Sequence, residues 1–340
     1  WGSADVAMSP GGTTSTAAGP SGLSSASLDD FTAGDLTMAR MAPAMDDLDI
    51  GALLIMGNSP GGDAIVGENW DTDGISISGC GYAVVADAVT TDAISGSCSN
   101  SASPNNIQLS DVDATYTGTM NAVYARNSQI TIGEGEITMP TTFDKMSKAS
   151  TNGRIILIDV AQDGTTCDGS SGCDVSSSSS GAIYFGGLAT VKVFKLLGTG
   201  VKEYKEGHTV QATAIDAGSV LFTVGTHKTD SNGEASVWVL TSNDANDVFT
   251  DHNLAAWGPS GQNETTVTDS WYPGSFEVGD SIELRLEPAP VSLNGTNMDC
   301  AYLQTNPEAV LGMTTEIDGT KTFTWEGKVT MTGDLNIDNC

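Results

Sequence analysis

The sequence predicts an all-β protein: a parallel β-solenoid over residues 46–195 followed by a β-sandwich over residues 196–292. Three observations predict it. Short apolar, β-branched runs separated by Gly, Asn, Asp and Ser fill the first stretch, the texture of strands and not of helices. Anchors Ile55, Ile77, Leu109, Ile132, Ile158 and Phe185 recur at intervals of 22, 32, 23, 26 and 27 residues, within the range of solenoid turns. Past residue 195 the runs lengthen and alternate with a period of two, which favours a sandwich.

Residues 1–45 are rich in Ser, Gly, Ala, Thr and Pro ("SPGGTTSTAAGPSGLSSAS"), a composition that buries little and is costly to order. Two readings stand: a flexible leader, or an arm that orders against a neighbouring subunit by strand exchange. Residues 46–195 carry "GALLIMG", "GISISGCGYAVVADAV", "NNIQLS", "SQITIGEGEITM", "GRIILIDV" and "GAIYFGG". In a solenoid each turn contributes short parallel strands whose inward residues stack on the next turn, with corner loops of unequal length. Ile77 and Leu109 are thereby expected in adjacent turns, and Ser176 to Ser180 reads as a loop. An antiparallel sandwich offers similar short strands, but Asn-Gly and Asp-Gly hairpins are sparse and the intervals are long for hairpins.

Residues 196–292 hold "HTVQATAI", "SVLFTVG", "EASVWVLT" and "SIELRLEP". Asp230-Ser231-Asn232-Gly233 supplies a turn with a Gly able to take positive φ just before a strong strand. Residues 293–340 form a last segment, in which Thr324–Thr332 alternates, Gly333-Asp334 turns, and Leu335–Asp338 opens a second run. Cys300 and Cys340 are expected to staple it; its resemblance to the opening turn of another solenoid implies either the first part of a longer array or a piece that caps this solenoid or joins a neighbour, the second being preferred.

The composition excludes some functions. With 340 residues and 39% hydrophobic content there is enough to bury ordinary cores. Only 13 Lys and Arg face 43 Asp and Glu, a formal charge of -30, so nucleic acid is not a partner: phosphate binding needs a basic footprint. Such a surface repels itself unless cations gather, which makes calcium a candidate partner, the alternative being acid that serves solubility alone. No apolar run reaches the length of a membrane span.

Six cysteines fall as three local couples, Cys80 with Cys98, Cys167 with Cys173, and Cys300 with Cys340. An even number without CxxC suits disulfides. His208, His227 and His252 are not placed to complete a zinc site. Closure of "CDGSSGC" implies an oxidising compartment, hence an extracellular or cell-surface location.

Among residues able to carry chemistry, "ENWDTDGI" places Asn69, Asp71 and Asp73 at alternate positions before Gly74, as in the first half of a calcium loop. The twelfth position is Cys80 where a bidentate Glu belongs, so a polar corner is the alternative. Asp111 and Asp113 are spaced for one strand face, like paired catalytic carboxylates. Between residues 46 and 190 the basic residues are Arg126, Lys145, Lys148 and Arg154, with no His, which leaves little for acid–base work. Neither a Gly-x-Ser-x-Gly elbow nor a complete P-loop occurs. Asn263 in "NET" and Asn294 in "NGT" are glycosylation acceptors by pattern. Trp257, Trp271 and Tyr272 are either packing residues or a carbohydrate platform.

"WEGKVTMTGDLNID" resembles the opening turn of pectin-lyase-like, right-handed parallel β-helix domains of large secreted surface proteins, and "TDSNGEASVWV" is similar to a hairpin of the immunoglobulin-like modules that punctuate them. The resemblance implies a right-handed β-helix and an immunoglobulin-like sandwich. The expectation for function is a non-enzymatic extracellular subunit whose partners are other copies of itself, building a surface layer, sheath or filament. The alternative is a secreted β-helix protein that binds or processes extracellular glycans.

Overall fold

The computed structural model describes residues 14–18, 27–39, 44–59, 64–169, 172–196, 201–216, 219–249, 252–258, 264–266, 278–288, 291–294, 316–317, 323–324 and 329–332. These residues are all-β, without a helix among them, and no helix is long and apolar enough to cross a membrane. Two compact units are present, Trp1–Gly187 with Leu240–Phe249, and Leu188–Val239 with Thr250–Cys340.

In the first unit the chain winds through β1 (Thr14–Ala18), β2 (Ser27–Ala33), β3 (Asp35–Ala39), β4 (Ala44–Met56), β5 (Ala64–Ile77), β6 (Ala83–Thr91) and β7 (Ile94–Ser97). It continues through β8 (Asn105–Thr115), β9 (Asn121–Arg126), β10 (Ser128–Thr138), β11 (Lys145–Ser150), β12 (Arg154–Gln162), β13 (Thr165–Thr166), β14 (Val175–Ser178) and the start of β15 (Ala182–Leu196). Each strand pairs in parallel with the strand one turn on, and only the short β13 runs antiparallel, to β12.

Two columns result. The first stacks β2, the front of β4, the front of β5, β6, β8, β10, β12 and β15. The second stacks β1, β3, the back of β4, the back of β5, β7, β9, β11 and β14. In the first column the register offset widens from 17 residues (Ser27 opposite Ala44) to 22 (Ala44 opposite Val66), steps back to 19 (Ala64 opposite Ala83), and reaches 28 (Arg154 opposite Ala182).

Like residues stack on like, which is what makes the turns cohere. Leu48, Trp70, Val89 and Val112 are successive register partners and all are buried, as are Leu109, Ile132, Leu157 and Phe185. Each such side chain contributes about 1.5–3 kcal/mol by leaving water. Trp70 also donates its indole N–H to the Met45 carbonyl at 2.6 Å, so its one polar group is satisfied inside.

Two expectations are corrected. Ile77 and Leu109 do not lie in adjacent turns: Ile77 belongs to the second column, opposite Gly96, whereas Leu109 belongs to the first, opposite Ala86 and Ile132. The 32-residue interval compared residues from different columns. Ser176–Ser178 are strand, within β14, and only Ser179 and Ser180 turn. The parallel ladder also extends N-terminal to residue 46, through β1, β2 and β3.

Segment Leu240–Phe249 belongs to this unit and covers its last strand. Asp244 N–H donates to the Ile183 carbonyl at 2.9 Å, and its carboxylate accepts from Ile183 N–H at 3.2 Å. Phe249 tilts against Tyr184 at 5.7 Å. Disulfides join Cys80 to Cys98 and Cys167 to Cys173, consistent with an oxidising environment.

The second unit contains the rest of β15, β16 (Lys202–Tyr204), β17 (Thr209–Asp216), β18 (Ser219–Lys228), the front of β19 (Glu234–Asn243), β20 (His252–Trp257), β21 (Glu264–Thr266) and β22 (Ser281–Pro288). One sheet is built on β15, which β22 joins in parallel and β16 antiparallel; the other has the order β18-β17-β20. A shared core of Val191, Val193, Val210, Val237, Leu254 and Leu284 belongs to both. Gly233 takes φ +73° and donates to the Asp230 carbonyl at 3.0 Å. That turn is not a hairpin: β18 and β19, on either side of it, belong to different sheets. Farther on, β23 (Val291–Asn294) pairs in parallel with β26 (Val329–Thr332), and β24 (Glu316–Ile317) antiparallel with β25 (Phe323–Thr324).

Candidate functional site

The first column bends at one residue per turn. Asp47, Asn69, Ala88, Asp111, Glu134 and Asp159 all have positive φ, between 48° and 56°, and stand at successive register positions. Asp47, Asn69, Asp111, Glu134 and Asp159 are exposed at this position, and in the first four turns the residue before the bend lies off the core as well, whereas Gly133 and Ile158 are buried. Asp46, Glu68 and Asp87 form the adjoining outward column, and Asp49, Asp71, Asp113 and Glu136 another, interrupted by Thr90. Neighbouring strands are about 4.8 Å apart, so these carboxylates form rows of like charge.

The rows are linked locally. Asn69 Nδ2 donates to Asp47 Oδ1 at 2.8 Å, and the Ser110 hydroxyl to Asp87 Oδ1 at 2.7 Å. Burial, together with the carboxylates of Asp159, Asp111 and Asp87, pushes the Glu134 carboxyl above its ordinary value. Burial disfavours the charged carboxylate first, and a proton also relieves the repulsion of the neighbouring acids.

Asn69, Asp71 and Asp73 are all exposed on β5, but Asn69 stands in the bend column with its amide engaged by Asp47, and Asp71 stands in another column. Among the described residues no three His, Cys, Asp or Glu side chains assemble a metal site. Asp111 and Asp113 are both exposed, with buried Val112 between them. Asp111 occupies the bend, so the two are related by a corner and not by a flat strand face. Asn263, Trp271, Tyr272, Cys300 and Cys340 lie outside the described residues; Asn294 ends β23, and Trp257 ends β20, partly exposed.

Cavities open among the described residues of the first unit. One, of about 390 Å³, lies beside the Cys80–Cys98 bridge and is lined by Asn58, Ser59, Ser99, Asn100 and Ser103. Another, of about 290 Å³, follows a ladder of planar polar groups: Arg154 Nη1 donates to Gln129 Oε1 at 2.8 Å and Gln129 Nε2 to Asn106 Oδ1 at 3.4 Å. Asn152 Nδ2 donates to Asn127 Oδ1 at 3.3 Å alongside. Sequence reasoning passed over both the ladder and the bend column.

The ends of the two columns differ. In the first column β15 is covered by Leu240–Phe249, and β2 carries Asp29 and Asp30. In the second column β14 pairs only with β11, and β1 only with β3, among the described residues. A parallel strand with one neighbour leaves alternate N–H and C=O groups turned outward. Comparison of the chain with protein-family models, curated proteins and solved structures gave no match.

Proposed function

We propose that the first unit is a parallel β-solenoid, of the right-handed kind, and that the second is an immunoglobulin-like sandwich. We propose further that the chain is a non-enzymatic, extracellular structural subunit that assembles with copies of itself into a layer, sheath or filament. The observation that carries this reading is the second column, an in-register parallel ladder whose end strands, β1 and β14, each have one neighbour among the described residues. Unpaired ladders either acquire caps or find neighbours, because each unmet backbone group shielded from water is costly. The acidic rows act with this: they hold the flanks of neighbouring copies apart unless divalent cations such as calcium screen them.

Negative-stain microscopy and light scattering of the full chain, with and without calcium, test the reading. Polymers support it; dispersed monomers at every concentration and in both media reject it. A second reading, a carbohydrate-binding protein, is favoured by the Asn106–Gln129–Arg154 ladder, whose planar groups match pairs of sugar hydroxyls. Binding to a glycan array that is lost in Gln129→Ala would promote it.

A further inference from the structure

We propose that the groove along Asn106, Gln129 and Arg154 takes the terminal sugar of a neutral glycan chain, seated against the loop of residues 99–104. This rests on the carbohydrate-binding reading of the same groove and names the part of the ligand that it recognises. The three planar groups stand at consecutive register positions on β8, β10 and β12. The ladder therefore crosses the strands and follows the stack, with about 4.8 Å between its members.

Hydrogen-bonding capacity gives the ladder one sense. A guanidinium only donates, so Arg154 Nη1 draws Gln129 Oε1 towards itself, and Gln129 Nε2 in turn meets Asn106 Oδ1. Asn106 is exposed at the end of the series, and its Nδ2 is the donor that the ladder turns to a ligand oxygen. Each bond in such a chain polarises the next and strengthens the last donor. A second rank beside it is committed internally. Asn152 Nδ2 donates to Asn127 Oδ1 at 3.3 Å, Asn127 Nδ2 to the Cys98 carbonyl at 2.8 Å, and the Ser180 hydroxyl to Asn152 Oδ1 at 2.5 Å. That rank makes a fixed side to the groove.

The loop closes one end. Ser101 and Pro104 line this groove, whereas Ser99, Asn100 and Ser103 line the 390 Å³ cavity, so the loop stands between the two. It is held by the Cys80–Cys98 bridge and by Asn100, whose Oδ1 accepts from Ala102 N–H at 3.0 Å and whose carbonyl accepts from Ser103 N–H at 3.3 Å. A wall formed in advance needs no ordering when the ligand arrives. A chain that reaches it has to end there, while at the far end Asn152 and Ser180 are exposed and leave room for the remaining sugars. Charge sets the class of chain. Arg154 is the one ionisable residue in the lining, and the acidic rows of the same unit repel polyanions, which leaves a neutral ligand held through its hydroxyls.

The full chain is screened on an array of neutral and acidic glycans, and calorimetry then follows the best-bound glycan as linear oligomers of increasing length. One protein is expected per chain at every length. Asn106→Ala and Gln129→Ala are each expected to weaken binding about tenfold, with thermal unfolding unchanged. Several proteins on one long chain, or binding confined to acidic glycans, overturn the recognition of a neutral terminus and leave the carbohydrate reading standing. Absence of binding to every glycan, or binding that neither variant alters, overturns both.

Discussion

Ala88 is the exception in the bend column, the one member whose side chain offers no polar group to a left-handed backbone. An alanine there bears a cost of roughly 1 kcal/mol that Asn largely avoids. Ala88→Asn is therefore expected to raise the melting temperature of the first unit. Ser147 is a second misfit: it is fully buried between Val123 and Val175 in register, and its hydroxyl has no hydrogen-bond partner among the described residues. Ser147→Val removes an unmet polar group and extends an apolar column, a gain of about 1 kcal/mol readable by denaturant unfolding. Acid should affect the two units in opposite senses. Glu134 has a raised folded pKa, so its contribution is fully present below its ordinary 4.5 and is lost as pH rises through the folded value. His227, its Nε2 accepting from Trp238 N–H, is pushed down by burial to about 4, so its contribution is present above 6.5 and fades as pH falls towards 4. Acidification from pH 7 to 4.5 is expected to favour the first unit and to cost the second on the order of 2 kcal/mol. Calorimetric scans across that range check it, with Glu134→Gln and His227→Gln each flattening one response.

At the level of strands, the all-β class and most strand positions were legible, because "SIELRLEP" and "NNIQLS" alternate as half-buried strands must. The period was only half legible. Anchors drawn from the apolar residues mixed two columns, whereas the clean repeat is the break in alternation: "MDDL", "GENW", "ADAV", "LSDV", "IGEG" and "LIDV", beginning at residues 45, 67, 86, 109, 132 and 157. Two residues off the core between inward ones mark the bend in the first four turns, Gly133 and Ile158 being buried in the last two, and Gly and Ala at inward positions hide it from a search for large apolar residues. The cover over β15 was not legible, since Asp244 meets Ile183 across 61 residues with no local pattern to announce it. The Cys80–Cys98 bridge closes over 18 residues and ties successive corners. In the chain-entropy picture it contributes roughly 3 kcal/mol, so a Cys80→Ser/Cys98→Ser double variant should melt markedly lower than the wild type in a thermal scan.

For the molecule as a whole, the excess of 43 acidic over 13 basic residues is not spread evenly: in the first unit it is arranged as rows along one side of the stack. Counterions that bridge such rows stabilise the folded state, in which the carboxylates are close, over the unfolded chain, in which they are apart. Millimolar calcium is expected to raise the melting temperature more than sodium chloride of equal ionic strength, and an Asp111→Asn/Glu134→Gln variant to narrow the difference. Equal responses to the two salts would leave only general screening. The widening of the turns, from 17 residues to 28, has a different consequence. A coil whose loops differ in circumference has no translational symmetry to slide along, so each loop recognises its own neighbours and the number of storeys is fixed. Excising one complete loop should not heal as it does in repeat proteins with interchangeable units, because the two perimeters brought together would no longer match.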